Sequence, residues 1–240
     1  MLQEKIEAIK EKTEIVILPE MFTTGFSMRA ELLAETIDGE TMKWMQRVAA
    51  ENKIILTGSV IIEENGKFFN RLIWMLPNGE YGVYDKRHLF AFGDEHAHYK
   101  AGNKKLIASV KGWKINLQIC YDLRFPVWAR QDFHAENKYD LLINVASWPA
   151  KRSVAWQTLL RARAIENQCF VVGVNRTGED GSRIYYNGNS TIIDPLGEII
   201  YEKNKGEDVF TYTLQKEKIT EIRNQFPFWQ DADSFIIKDI

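Results

Sequence analysis

Short runs of β-branched residues, bounded by turn-forming residues, alternate along this chain with stretches whose apolar positions recur every three or four residues. Leu2, Ile6 and Ile9 fall on one side of a helix predicted over Leu2 to Lys12, with Glu and Lys on the other. Ile15-Val16-Ile17-Leu18, closed by Pro19, has the pattern of a strand buried on both faces. Thr41 to Asn52 predicts a second helix, with Met42, Met45, Val48 and Ala49 on its apolar side. Strands predicted over Ile54 to Glu63 and Phe68 to Leu76 meet at Asn65-Gly66, a hairpin signal. Pro77-Asn78-Gly79-Glu80 turns the chain into a short strand ending at Asp85-Lys86. Residues 87–104 show no period, carry His88, His96 and His98, and are read as an ordered loop. Leu106 to Val110 and Trp113 to Cys120 form an antiparallel pair about Lys111-Gly112, and Pro126 opens a helix. Leu141 to Ala146 is a buried strand, and Ser153 to Gln168 a long helix carrying Leu159, Leu160, Ala164 and Ile165. Cys169 to Val174, Ser190 to Ile193, Glu198 to Tyr201 and Val209 to Leu214 read as further strands, with one short helix in the tail.

Turn signals at 65–66, 77–80, 111–112 and 194–197 are too frequent for a single doubly wound sheet, the alternative architecture. They favour an α/β fold in which two sheets pack face to face with helices outside, a four-layer α-β-β-α sandwich. No linker, repeat or composition shift divides residues 1–240, so a single domain is expected. Hydrophobic residues make up 45% and charged residues 27%, which excludes disordered and low-complexity classes. A net charge of −2 argues against nucleic acid as the partner, and no apolar run approaches the ~20 residues of a membrane span. With two cysteines and no signal peptide, the chain reads as cytoplasmic.

Three polar residues share one context, the end of a buried strand: Glu20, Lys86 and Cys120. The crevice beyond the carboxyl ends of strands is where layered α/β folds bind ligands. A carboxylate, an ammonium and a thiol meeting there would supply a base, a cation for an oxyanion and a nucleophile. Taken singly, each has a plainer reading: Cys120 as a core residue, Glu20 as a turn or cap carboxylate, Lys86 as a solvated charge among Asp85, Arg87 and His88. Cys169, inside the apolar run Cys169-Phe170-Val171-Val172, is assigned to the core.

The segments Leu18-Pro19-Glu20-Met21-Phe22, Tyr84-Asp85-Lys86-Arg87-His88-Leu89-Phe90 and Ile119-Cys120-Tyr121-Asp122-Leu123-Arg124-Phe125-Pro126 resemble the three catalytic blocks of the nitrilase, or carbon–nitrogen hydrolase, superfamily. The resemblance implies the α-β-β-α sandwich and a Glu-Lys-Cys triad at Glu20, Lys86 and Cys120. Thr23-Thr24-Gly25-Phe26-Ser27-Met28, Gly93-Asp94-Glu95-His96, Trp148-Pro149 and the tail from Phe226 to Asp233 are similar to the bacterial omega-amidase branch, which hydrolyses the terminal amide of 2-oxo acid monoamides. Glu95 matches a further active-site glutamate of the superfamily, or else makes a loop salt bridge with a nearby base. Members normally begin with a strand and turn before the first helix. This chain opens in the helix, so a first N-terminal strand is expected to be missing.

The resemblance implies a thioester mechanism on a small-molecule amide. Glu20 takes the thiol proton of Cys120, while Lys86 and the backbone N–H of Tyr121 hold the oxyanion. A substrate carboxylate asks for an arginine, with Arg124 and Arg152 as candidates, although Arg124 could instead pair with Asp122 or cap a helix. Phe26, Tyr121 and Trp148 could wall a small apolar pocket, or be plain core or rim aromatics. No metal or other cofactor is expected. A homodimer is implied, with Phe226, Phe228 and Trp229 suited to an interface or to the chain's own core. Two other readings stay open: an amidase for deaminated glutathione or an N-carbamoyl amide, and a catalytically idle binding member of the same fold.

Overall fold

A computed structural model of the chain describes residues 2–132 and 138–238. They form two compact units. The first runs to Lys104 and takes in Glu207–Tyr212, where Glu207 pairs with Lys5. The second comprises Lys105–Gly206 and the residues from Thr213 onward.

The first unit holds α1 (Leu2–Glu7), β1 (Ile15–Ile17), α2 (Ala30–Leu33), α3 (Glu40–Asn52), β2 (Ile55–Glu64), β3 (Lys67–Met75), β4 (Tyr81–Asp85) and α4 (Glu95–His98). Its sheet runs β1-β2-β3-β4, with β1 parallel to β2 and the other pairs antiparallel. Asn65 and Gly66 both take positive φ, 53° and 72°, as the expected hairpin turn requires. The predicted face of α3 is the one that packs: Met42, Met45, Val48 and Ala49 meet Leu56, Val60, Ile62, Ile73 and Met75. Each large side chain withdrawn there contributes about 1.5–3 kcal/mol of transfer free energy.

Four expectations for this unit are corrected. The first helix stops at Glu7 rather than Lys12, with Ile6 as its buried residue. Ile15–Ile17 is half-buried rather than covered on both faces, because β1 lies at the sheet edge. Residues 87–104 contain a 3-10 turn, Ala91–Gly93, and α4. Val209 to Leu214 is not a strand: it has no ladder partner among the described residues, and Val209, Phe210 and Tyr212 stay about half exposed.

The second unit holds β5 (Ile107–Val110), β6 (Trp113–Ile119), α5 (Pro126–Ala129), β7 (Leu141–Ala146), α6 (Ser153–Asn167), β8 (Phe170–Asn175), β9 (Thr177–Glu179), β10 (Tyr185–Ile193), β11 (Ile199–Asn204) and α7 (Lys216–Gln225). Its sheet order is β11-β10-β8-β7-β6-β5, with β6, β7 and β8 parallel and β9 paired to β10. Trp156, Leu160 and Ala164 of α6 pack on Leu142, Ala146, Val171 and Ile193. A Cβ at Gly173 would lie 2.9 Å from the Trp156 ring, so glycine lets α6 settle close to β8. Ile165, one of the apolar residues carried by this helix, is 51% exposed, whereas Arg163 and Asn167 are buried. Among the described residues, no helix is long and apolar enough to cross a membrane.

Candidate active site

Glu20 leaves β1 through Pro19 and sits on a tight turn pinned to β2. The Met21 N–H donates to Ser59 Oγ at 2.9 Å and the Phe22 N–H to the Ser59 carbonyl at 3.2 Å. Met21 takes φ 44°, a conformation a side chain of that size adopts only when its surroundings impose it. The turn is buried, and it points the carboxylate of Glu20 into the unit, where the residue is 1% exposed.

Lys86 follows β4 directly. Its N–H donates to the Asn70 carbonyl and its own carbonyl accepts from the Gly102 N–H, both at 3.0 Å. A Cβ at Gly102 would lie 2.8 Å from that of Asp85 and clash with the Asp85 carbonyl, so the backbones can approach only at glycine. On the other strand, Arg71 grips the Asp85 carboxylate in a fork, Nε to Oδ1 at 2.6 Å and an η-nitrogen to Oδ2 at 2.9 Å. The backbone carrying the lysine is thereby fixed on both sides.

The Lys86 ammonium is 2.9 Å from Glu20 Oε1, and 3.0 and 2.9 Å from the two carboxylate oxygens of Glu95. Phe26 closes one side, with its ring centre 5.2 Å from the ammonium. Glu95 opens α4 and is fully buried, and Oε2 also accepts the Phe90 N–H at 2.6 Å. Glu95 thus pairs with Lys86 and stands beside Glu20, a geometry common to both readings of Glu95. Asn70 Nδ2 donates to Oε1 of Glu20 at 2.8 Å and to Oε1 of Glu95 at 3.2 Å. Burial pushes the Glu95 carboxyl above its ordinary range, and the charge of Glu20 pushes the same way. Lys86 and the Phe90 N–H oppose that shift. Burial also raises the Tyr99 phenol, one turn further along.

In the second unit Cys120 is the first residue beyond β6, not its last, and takes φ 45°. A 3-10 turn, Cys120–Arg124, begins there, fastened by buried Asp122, whose carboxylate accepts the Ile119 N–H at 3.1 Å. The strand thus ends on a sharp left-handed corner that carries a partly accessible thiol. Cys169 is fully buried, and burial drives its thiol pKa well upward, which suits the core role expected for it.

Tyr121 packs edge-on to Phe125 at 5.1 Å. The Arg124 guanidinium lies 4.9 Å from the Trp148 ring centre, and Trp148 Nε1 donates to the Arg152 carbonyl at 2.8 Å. Trp148 also leans on Trp156 and is 3% exposed. The candidates thus fall into two groups: Glu20, Lys86, Glu95 and Phe26 in the first unit, and Cys120, Tyr121, Arg124 and Trp148 in the second. Among the described residues no three His, Cys, Asp or Glu side chains are arranged to hold a metal ion.

Sequence reasoning missed Asn70, Ser59 and Asp122. For Asn70 a signal existed: asparagine is depleted in strands, yet it stands inside Phe68-Phe69-Asn70-Arg71-Leu72. Ser59, inside β2, carried none, and Asp122 none beyond its place just after a strand end.

The carbon-nitrogen hydrolase family model matches residues 2–224. Omega-amidase YafV of Escherichia coli K12 is 45% identical over 223 residues, 92% of this chain and 85% of that protein. The 2-oxoglutaramate amidase of Bacillus subtilis is 33% identical over 229 residues, 94% of this chain and 87% of its own. A CN-hydrolase superfamily protein of Xanthomonas campestris, solved with an arsenic adduct in its active site, superposes with a TM-score of 0.95 at 46% identity, over 99% of this chain and 91% of the other. With one family match spanning both units, the chain belongs to the carbon–nitrogen hydrolase family.

Proposed function

We propose that this chain is an omega-amidase, hydrolysing the terminal amide of a 2-oxo acid monoamide such as 2-oxoglutaramate or 2-oxosuccinamate to the 2-oxo dicarboxylic acid and ammonia. The observation that carries the chemistry is the Lys86 ammonium, buried and clasped by the carboxylates of Glu20 and Glu95. Withdrawing three ionisable groups from water gains little or no stability, and clusters of this kind are characteristic of functional sites. The substrate class rests on the relatives named omega-amidase and 2-oxoglutaramate amidase.

In this reading the Cys120 thiol gives its proton to Glu20 as sulfur attacks the amide carbon. The carbonyl electron pair moves to oxygen, where Lys86 and the Tyr121 N–H receive it. Collapse breaks the C–N bond, and Glu20 returns the proton to the departing nitrogen, which leaves as ammonia. Water then gives a proton to Glu20 as it attacks the thioester, the C–S bond breaks, and the sulfur recovers that proton. Arg124, over the Trp148 ring, offers a planar donor fork to the distal carboxylate of the substrate. Phe26, Tyr121 and Trp148 are the proposed apolar walls.

We further propose that the two units act as one carbon–nitrogen hydrolase domain, a reading supported by the single family match across both. A cytoplasmic homodimer fits the same picture. Neither cysteine is in a disulfide, and Phe228, in the aromatic tail, is 66% exposed.

The test is ammonia release from a panel: 2-oxoglutaramate, 2-oxosuccinamate, deaminated glutathione and an N-carbamoyl amide, with Cys120→Ala as the blank. Preferred turnover of the 2-oxo acid monoamides, absent in the variant, is the expected result. Preference for another amide would move the substrate assignment, and no turnover of any would leave a binding member of the family.

A further inference from the structure

Two carboxylates on one ammonium repel each other, and something must hold them in place without tipping the charge. The structure supplies it in β3. Asn70 is fully buried, and its carbonyl accepts the Lys86 N–H at 3.0 Å. Its side-chain nitrogen reaches Glu20 Oε1 at 2.8 Å and Glu95 Oε1 at 3.2 Å. The Lys86 ammonium reaches the same two oxygens at 2.9 and 3.0 Å. Two nitrogens and two oxygens therefore close a ring of four hydrogen bonds.

We infer that Asn70 is a positioning residue of the hydrolytic site, setting the spacing and orientation of Glu20 and Glu95 about Lys86; this rests on the role proposed for those residues. An amide NH2 has two hydrogens in one plane, one for each carboxylate, and carries no charge. An aspartate there would add a third anion, and a second ammonium would neutralise the pair and hold both carboxylates ionised. A leucine, branched in the same way, would leave both oxygens short of a donor. The amide orientation is dictated by the site, since the flipped form would set its oxygen against two carboxylate oxygens. Asn70 Oδ1 itself has no hydrogen-bond partner within the described protein, so no competing contact sets its direction. The register delivers the residue: Asn70 faces Ile61 across the hairpin and stands beside Arg71, which is paired with Asp85. One strand thus holds the lysine backbone and both of its carboxylate partners.

The experiment compares parent, Asn70→Leu and Asn70→Asp in two assays, after melting curves establish the folded fraction. In steady-state hydrolysis of 2-oxoglutaramate, Asn70→Leu should lose about 100-fold in kcat, the scale of a misplaced catalytic group, with KM changed no more than about threefold. The acid limb of its pH profile should move to higher pH, because the Glu95 carboxyl, already raised by burial, loses a donor that favours its charged form. The titratable and charged groups facing Glu95 are Lys86, Glu20 and Tyr99 in the first unit. The second assay, the rate of Cys120 alkylation by iodoacetamide against pH, needs no substrate and stays informative if the parent leaves 2-oxoglutaramate untouched. A slower rate with a displaced midpoint in Asn70→Leu, and a greater loss in Asn70→Asp, is expected. Folded variants whose kcat and alkylation profile coincide with the parent's would overturn the inference, whatever amide the enzyme prefers.

Discussion

The ammonium of Lys86 lies 2.9 Å from a carboxylate oxygen of Glu20, and both side chains are almost wholly withdrawn from solvent. An ion pair so placed gains little stability over an apolar pair of the same volume, while removal of one partner strands the other. Lys86→Met leaves Glu20 and Glu95 facing each other without a cation. Activity should fall by at least about 100-fold, as on loss of an oxyanion donor. Stability should fall by about 3–5 kcal/mol, as when one partner of a buried pair is removed. Thermal melts beside the kinetic assay check both.

Glu95 gives the opposite sign. Its carboxyl is raised in the folded state, chiefly by burial. The folded protein therefore binds a proton that the unfolded chain has already released, and stability falls as pH rises through the raised pKa. Glu95→Gln removes that cost and keeps an acceptor oxygen for Lys86 and the Phe90 N–H. Unfolding in urea should show Glu95→Gln at least as stable as the parent at pH 8, with its advantage disappearing below the ordinary carboxylate range. Its activity should nonetheless drop.

The two thiols should behave as different groups. Cys120 stands on a left-handed corner and is partly accessible, whereas Cys169 is fully buried with its pKa driven upward. Native protein treated with iodoacetamide should take up one equivalent, on Cys120, with loss of activity. Unfolded protein should take up two. Peptide mapping reads the result.

Gly102→Ala tests whether the Lys86 backbone is held as tightly as the contacts imply. The added methyl has nowhere to go but against Asp85, so the strand end must shift. An overpacked contact of this kind costs about 1–3 kcal/mol. The expected signature is a loss of kcat larger than the fall in melting temperature alone explains.

Arg124→Ala separates substrate gripping from support of the Trp148 loop. Loss of a charge-assisted contact of about 1.5–3 kcal/mol should raise KM for 2-oxoglutaramate by roughly 10–150-fold. A neutral amide lacking the distal carboxylate should be hydrolysed as by the parent. Equal damage to both substrates would make Arg124 a structural partner of Trp148.

Much of this site was legible in the chain because strand ends announce themselves. Pro19 before Glu20, and the turn-bounded strands before Lys86 and Cys120, mark the places where a buried strand gives way to a polar side chain. What was not legible depended on neighbours distant in sequence. Asn70 earns its place through residues 50 and 25 positions away, which no local pattern records. Val209 to Leu214 has strand-like alternation, but a strand exists only with a partner, and the chain gives it none among the described residues. β9 went unseen for the converse reason: Thr177-Gly178-Glu179 looks like turn, and pairing with β10 makes it strand. Ile165 suits the inner face of α6 by type, yet Arg163 and Asn167 occupy it, Arg163 donating to the Leu123 carbonyl just beyond Cys120.

The most direct test of the central claim is the covalent state of the enzyme during turnover. Protein quenched in acid while hydrolysing 2-oxoglutaramate should carry one acyl group, on the peptide containing Cys120, released by hydroxylamine as a thioester is. Ammonia produced with no adduct on that peptide at any quench time, or with undiminished turnover in Cys120→Ala, would contradict it.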